Sequence, residues 1–300
     1  MNAYDGILAA ILTPMIDDEA VNHAELRRQV NRLIGAGVHG LMVLGTNGEF
    51  YALSLDEKIA VLSTVIDECD GRVPVFAGTG CVTTAETVRL SRTAAEIGAD
   101  AVSLVTPYFA AVSQDELYEH YRAVADAVSI PVVLYNIPKR TGTPIDPATV
   151  ERLSSLDRIV GVKDSSGDFE TTLAYIERTP DEFQVFAGAD SLILATLLAG
   201  GAGAVSGLAN VIPEIMVRIY DRWKSGDLDG ARAAQESVRP LRRCLELGNP
   251  NSIVKRAVNL IGHPVGPARM PVYGLPSSVD GRLTEALERL GYRVESRATV

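Results

Sequence analysis

Eight short apolar runs recur along the chain. They are GILAAIL (6–12), GLMVLG (40–45), VPVFAG (73–78), DAVSLV (100–105), IPVVLYN (130–136), RIVGVK (158–163), FQVFAG (183–188) and GAVSG (203–207). None alternates apolar with polar residues, the pattern of strands buried on both faces. Longer segments with helical spacing lie between them. HAELRRQVNRLIGAG gathers Leu26, Val30, Leu33 and Ile34 on one face and ends at Gly35 and Gly37. SLDEKIAVLSTVIDEC opens with Ser54 and has Glu57 three residues on, a capping box. TTAETVRLSRTAAEIG and SQDELYEHYRAVADAV start the same way, with Thr or Ser. Eight alternations of strand and helix predict a closed α/β barrel, the (β/α)8 TIM barrel, over residues 1–225. Beyond it, DLDGARAAQESVRPLRRCLEL, NSIVKRAVNLIG and SVDGRLTEALERLG have no strand between them. They predict a C-terminal three-helix extension over 226–300, packed on the barrel.

Composition narrows the partners more than the fold. The chain has 300 residues, of which 47% are hydrophobic, ample for one large core. Its net charge of −10 offers no basic footprint for nucleic acid or an anionic membrane surface. No apolar stretch approaches membrane-spanning length. The three cysteines, Cys69, Cys81 and Cys244, form no CxxC pair, and the first residues lack the basic start of a signal peptide. A cytoplasmic, reducing location is expected.

In such barrels chemistry sits at the C-terminal ends of the strands. The residues that follow the apolar runs include Thr13, Thr46, Asn47, Thr79, Thr106, Tyr135, Asn136, Lys163, Asp164, Gly188 and Ser206. Lys163 ends the sixth run. A low-dielectric barrel mouth disfavours an ammonium, and a neutral amine can condense with a ketone to form an imine. The alternative is a structural lysine paired with Asp164 or Glu49. Tyr135 ends the fifth run and could shuttle protons, or could simply be a core-rim tyrosine satisfied by backbone. LGTNGEF surrounds Thr46 and Asn47 with glycines and could form an anion-binding nest or only a tight turn. Arg140 could grip a carboxylate or lie on the surface. The four histidines show no metal-ligand spacing, and neither a GxSxG elbow nor a Walker loop is present. LAGGAGAVSG (198–207) is glycine-rich but lacks the context of a specific phosphate signature.

Together GTNGE (45–49), TPYF (106–109), YNIPKRTG (135–142) and GVKDSSGD (161–168) resemble the dihydrodipicolinate synthase/N-acetylneuraminate lyase superfamily of pyruvate-dependent class I aldolases. The similarity runs from LTPM near the start to NPN and GHPVG near the end. It implies a Schiff base between Lys163 and pyruvate. Tyr135 would relay protons and position the carboxylate, and Thr46 would be the hydroxyl of the relay. The Thr46–Asn47 backbone would bind the pyruvate carboxylate, and Gly188 and Val205 would line the pocket. Arg140 matches the arginine that meets the carboxylate of the second substrate in the synthase branch. The family implies a homotetramer, a dimer of dimers, with no metal or organic cofactor.

The expected activity is a carbon–carbon lyase or dehydratase acting on a 2-oxo acid, such as a 2-keto-3-deoxy sugar acid. The alternative is 4-hydroxy-tetrahydrodipicolinate synthase, which condenses pyruvate with aspartate semialdehyde. Two other readings are a sugar-phosphate barrel and a non-catalytic ligand-sensing barrel. Two positions depart from the synthase pattern. Phe109 stands where that branch has a tyrosine donated across the dimer, and GTNGE replaces GTTGE. Phe50, Tyr51, Leu55, Lys58 and Val82 also replace the polar residues expected of a lysine feedback site.

Overall fold

The computed structural model describes residues 4–272 and 274–294. The first three residues of the expected barrel, and residues 295–300 of the expected extension, lie outside that description. Eight parallel strands close into a barrel in sequence order. They are β1 (Gly6–Ala10), β2 (Gly40–Val43), β3 (Val75–Gly78), β4 (Ala101–Val105), β5 (Val132–Asn136), β6 (Ile159–Asp164), β7 (Gln184–Ala187) and β8 (Gly203–Ser206). Each falls within one of the eight apolar runs or ends one residue past it. This is the (β/α)8 TIM barrel, with β1 pairing β8 through Leu8 and Val205 to close it.

Side chains alternate between the barrel axis and the surrounding helices. Leu8, Ala10, Met42, Phe76, Ala101, Val133, Phe186 and Val205 fill the axis. A larger cluster joins the outward faces of the strands to the helices. Local chemistry starts those helices where the sequence marks them. Ser54 and Ser113 form capping boxes with Glu57 and Glu116, and Thr83 caps with its side chain alone. Ile34 is only half-buried, whereas Leu26, Val30 and Leu33 are fully buried.

The C-terminal region differs from expectation in one respect. DLDGARAAQESVRPLRRCLEL is two α-helices, Leu228–Ser237 and Arg239–Cys244, followed by a short 3-10 turn. Pro240 is the cause. A proline has no N–H to give the preceding turn, and its ring collides with the carbonyl four residues back. With Pro250–Leu260 and Ser278–Arg289, this makes four α-helices after residue 226 among the described residues. Leu241, Ile253 and Leu283 belong to the same buried cluster as the barrel's outer faces. No described helix is long and apolar enough to cross a membrane.

Candidate active site

Strand register builds the centre of the site. β5 and β6 pair so that Tyr135 lies beside Lys163 and Asn136 beside Asp164. Tyr135 and Lys163 are 4% and 5% exposed. The Lys163 Nζ stands 4.2 Å from the centre of the Tyr135 ring. The next residues take the opposite face. There the Asn136 amide donates to Asp164 at 2.9 Å. Asp164 also accepts from the Ser166 and Thr172 hydroxyls at 2.8 and 2.6 Å. These bonds lock the register and leave Asp164 no role as an ion partner for Lys163.

Thr46 reaches the pair from the loop after β2. Its hydroxyl lies 3.2 Å from the Tyr135 hydroxyl. Burial alone would raise the pKa of the Tyr135 phenol. The Lys163 charge and hydrogen bonds with Thr46, Ser165 and Lys163 outweigh it, so the phenol lies below the ordinary tyrosine value. A phenol in that position exchanges protons more readily than a free tyrosine. The Thr46 loop is strained and supported. Leu44 and Glu49 bracket it at φ 58° and 56°, and the Thr13 hydroxyl donates to the Gly48 carbonyl at 2.7 Å. Glu49 is fully buried, and the ion partner it meets is Lys255, at 2.5 Å.

The remaining sequence candidates occupy different positions. Gly188 follows β7 and donates its N–H to the Asp164 carbonyl at 2.7 Å. A Cβ there would collide with the Ser165 hydroxyl, so the glycine keeps room beside the Tyr135 hydrogen-bond network. Val205 packs among the axial side chains of the barrel. Asn47 lies across the mouth against Gly207, where a Cβ would stand 2.6 Å from its Nδ2. Arg140 is not part of the central trio. It sits exposed on the short helix Pro138–Thr141, without an ion pair among the described residues. Phe109 follows β4, is 99% exposed and has a left-handed φ of 74°.

A narrow recess opens beside this centre, with Tyr135, Gly45, Phe50, Gly78 and Ser103 in its wall. Two neighbours of the site escaped sequence reasoning. Ser165 helps lower the pKa of the Tyr135 phenol, and Asp190 is a buried carboxyl at the start of the segment after β7. Burial raises the Asp190 pKa, opposed by the Ser206 hydroxyl, the Leu208 N–H and the Lys163 charge. Ser165 lies inside the GVKDSSGD segment, where its position two residues after the lysine was the available signal. Asp190 carries no comparable mark.

Known proteins share this arrangement of chain and fold. The profile of the Dihydrodipicolinate synthetase family matches residues 3–290. A 4-hydroxy-tetrahydrodipicolinate synthase of Methanopyrus kandleri is 41% identical over 289 residues, covering 96% of each chain. The chloride-inhibited dihydrodipicolinate synthase of Acinetobacter baumannii, solved with pyruvate, superposes with a TM-score of 0.94. It is 33% identical, with 97% of this chain and all of that one covered. A monomeric dihydrodipicolinate synthase variant superposes equally well, with a TM-score of 0.94 at 30% identity, covering 97% of this chain and 98% of its own. Matched over nearly its whole length, the chain belongs to the dihydrodipicolinate synthetase family.

Proposed function

We propose that the protein is a pyruvate-dependent class I lyase in which Lys163 forms the Schiff base. The observation that carries this reading is a buried amine against a phenol, with a second hydroxyl 3.2 Å beyond it. Asp164 and Glu49, the two ion partners the sequence offered for Lys163, are both engaged elsewhere. The Lys163 nitrogen attacks the ketone carbon of pyruvate, and the carbinolamine loses water to give an iminium. Tyr135 and Thr46 carry the protons for these steps. The iminium draws electrons from the neighbouring methyl group, which releases a proton and becomes an enamine carbon. That carbon bonds to an aldehyde, or the reverse step releases pyruvate from a larger 2-oxo acid.

For the second substrate, 4-hydroxy-tetrahydrodipicolinate synthesis from aspartate semialdehyde is the reading that the names of the relatives support. Arg140 supports it too, as an exposed guanidinium free to meet a second carboxylate. Phe109 favours another outcome, cleavage or dehydration of a hydroxylated 2-oxo acid, because a phenyl ring carries no proton. Thr46, Asn47, Gly188 and Val205 complete the proposed pyruvate pocket. A homotetramer is proposed from the family, and Phe109, a large aromatic fully in solvent on a strained backbone, supports association. The free thiols of Cys69, Cys81 and Cys244 suit a reducing cytoplasm.

Borohydride trapping with pyruvate, followed by peptide mass spectrometry, tests the chemistry. A reduced adduct on the Lys163 peptide, absent from Lys163→Ala, is expected. A folded protein without the adduct would reject the reading in favour of a sensing barrel. Turnover with aspartate semialdehyde against a panel of hydroxylated 2-oxo acids then separates the two reactions.

A further inference from the structure

The loop that carries Thr46 is gripped from outside the barrel by the Pro250–Leu260 helix. Asn251 is fully buried. Its Nδ2 donates to the Thr46 carbonyl at 2.8 Å and to the Tyr51 hydroxyl at 2.9 Å. Its Oδ1 is buried without a partner among the described residues, so the amide is kept for its donors despite an unmet acceptor. One turn on, Lys255 meets Glu49 at 2.5 Å and donates to the Pro267 carbonyl at 2.7 Å. The Arg269 N–H donates to the other Glu49 oxygen at 2.8 Å. Both ends of the loop are left-handed at non-glycine residues, Leu44 and Glu49. Such conformations persist where the surroundings over-determine them.

The consequence follows from the planarity of the peptide. In a trans peptide the carbonyl of one residue and the N–H of the next point in opposite directions. The Thr46 carbonyl accepts from Asn251 at 2.8 Å and from the Glu49 N–H at 3.1 Å, so the Asn47 N–H of the same peptide is turned away from both. That N–H has no hydrogen-bond partner among the described residues. It lies next to the Thr46 hydroxyl that touches Tyr135. A fixed, unpaired backbone donor beside a hydroxyl suits a carboxylate.

We infer that Asn251 is a positioning residue for the substrate carboxylate, holding the Thr46–Asn47 peptide so that the Asn47 N–H faces the bound 2-oxo acid. This rests on the pyruvate site proposed above. It makes the Pro250–Leu260 helix part of the pocket's construction, across 205 residues of sequence.

The test uses two backgrounds. In Lys163→Ala, pyruvate binds without forming an imine, and calorimetry reads its Kd directly. Adding Asn251→Leu, which keeps the volume and removes both donors, is expected to weaken pyruvate about tenfold, the worth of one hydrogen bond. In the otherwise wild-type enzyme, Asn251→Leu raises the KM for pyruvate by a similar factor and leaves the KM for the aldehyde unchanged. Tyr51→Phe, which removes only the second contact, leaves pyruvate binding unchanged. Asn251→Ala serves as the parallel variant, and the better folded of the two decides. Unchanged pyruvate binding in a folded variant overturns the inference, as does equal weakening toward pyruvate and aldehyde. A wild-type enzyme that gives no borohydride adduct rejects the imine, while the calorimetric comparison still judges Asn251.

Discussion

Two lysines are buried at the same end of this barrel, and they have opposite surroundings. Lys255 is 1% exposed, lies 2.5 Å from Glu49 and donates to the Pro267 carbonyl. Burial lowers its pKa and Glu49 opposes the change. Lys163 is 5% exposed and faces the ring of Tyr135, with no ion-pairing carboxylate among the described residues. Its sequence neighbour Asp164 is held by Asn136, Ser166 and Thr172. Burial alone therefore does not distinguish the two amines. What separates the two is whether a carboxylate has claimed the nitrogen, and whether proton carriers stand next to it.

The largest effects should divide along that line. Lys163→Ala is expected to abolish turnover and leave the unfolding midpoint nearly unchanged, read by a coupled assay and by thermal melts. A large loss of stability would mean that Lys163 is structural as well. Tyr135→Phe should slow the reaction by roughly 10²- to 10⁴-fold, the usual contribution of a positioned proton donor. A smaller change would move the relay to Thr46, Ser165 or water. Lys255→Met should act on the other axis. Removing one partner of a buried pair costs about 3–5 kcal/mol, because Glu49 keeps an uncompensated charge. Chemical denaturation measures it, and Lys255→Met combined with Glu49→Gln should recover much of the loss. If the double variant is no better than the single, the pair is not what stabilises this end of the barrel.

The same contrast marks what could be read from sequence. Strands and helices are written in local spacing, so the eight apolar runs and the caps at Ser54 and Ser113 were legible. The positions of Lys163 and Tyr135 near the ends of their strands were legible, and register brings the two side by side. Pro240 carried a signal that the apolar pattern around it masked, and the segment read as one helix is two. Contacts between distant parts of the chain left no local trace. Lys255 could not be assigned to Glu49, nor Asn251 to Thr46, since only the closed barrel brings residues near 250 against the loop after β2. From sequence, Lys163 was therefore open to either reading, and the structure shows that Asp164 and Glu49 have other partners.

A third buried base sharpens the comparison by having no charged partner among the described residues. His120 is 6% exposed; its Nδ1 lies 2.9 Å from the Thr84 hydroxyl and its Nε2 is buried without a partner. Burial pulls its pKa down to about 4. The folded value lies below the unfolded value of about 6.5. As pH falls between those limits the unfolded chain takes up a proton that the folded chain refuses. Stability is then complete above about pH 6.5 and declines toward pH 4, by about 3 kcal/mol. Glu57, held at about 2 by Arg269, acts in a lower window, below the usual carboxylate range. Urea unfolding at pH 7 and pH 5 stays above that window, and since burial also lowers the pKa of His39, the comparison with a His120 variant is what isolates His120. His120→Gln, which can keep the bond to Thr84 but cannot titrate, should flatten the difference between the two pH values. An identical pH slope in both proteins would mean that water reaches Nε2 and that burial at this position carries no electrostatic cost.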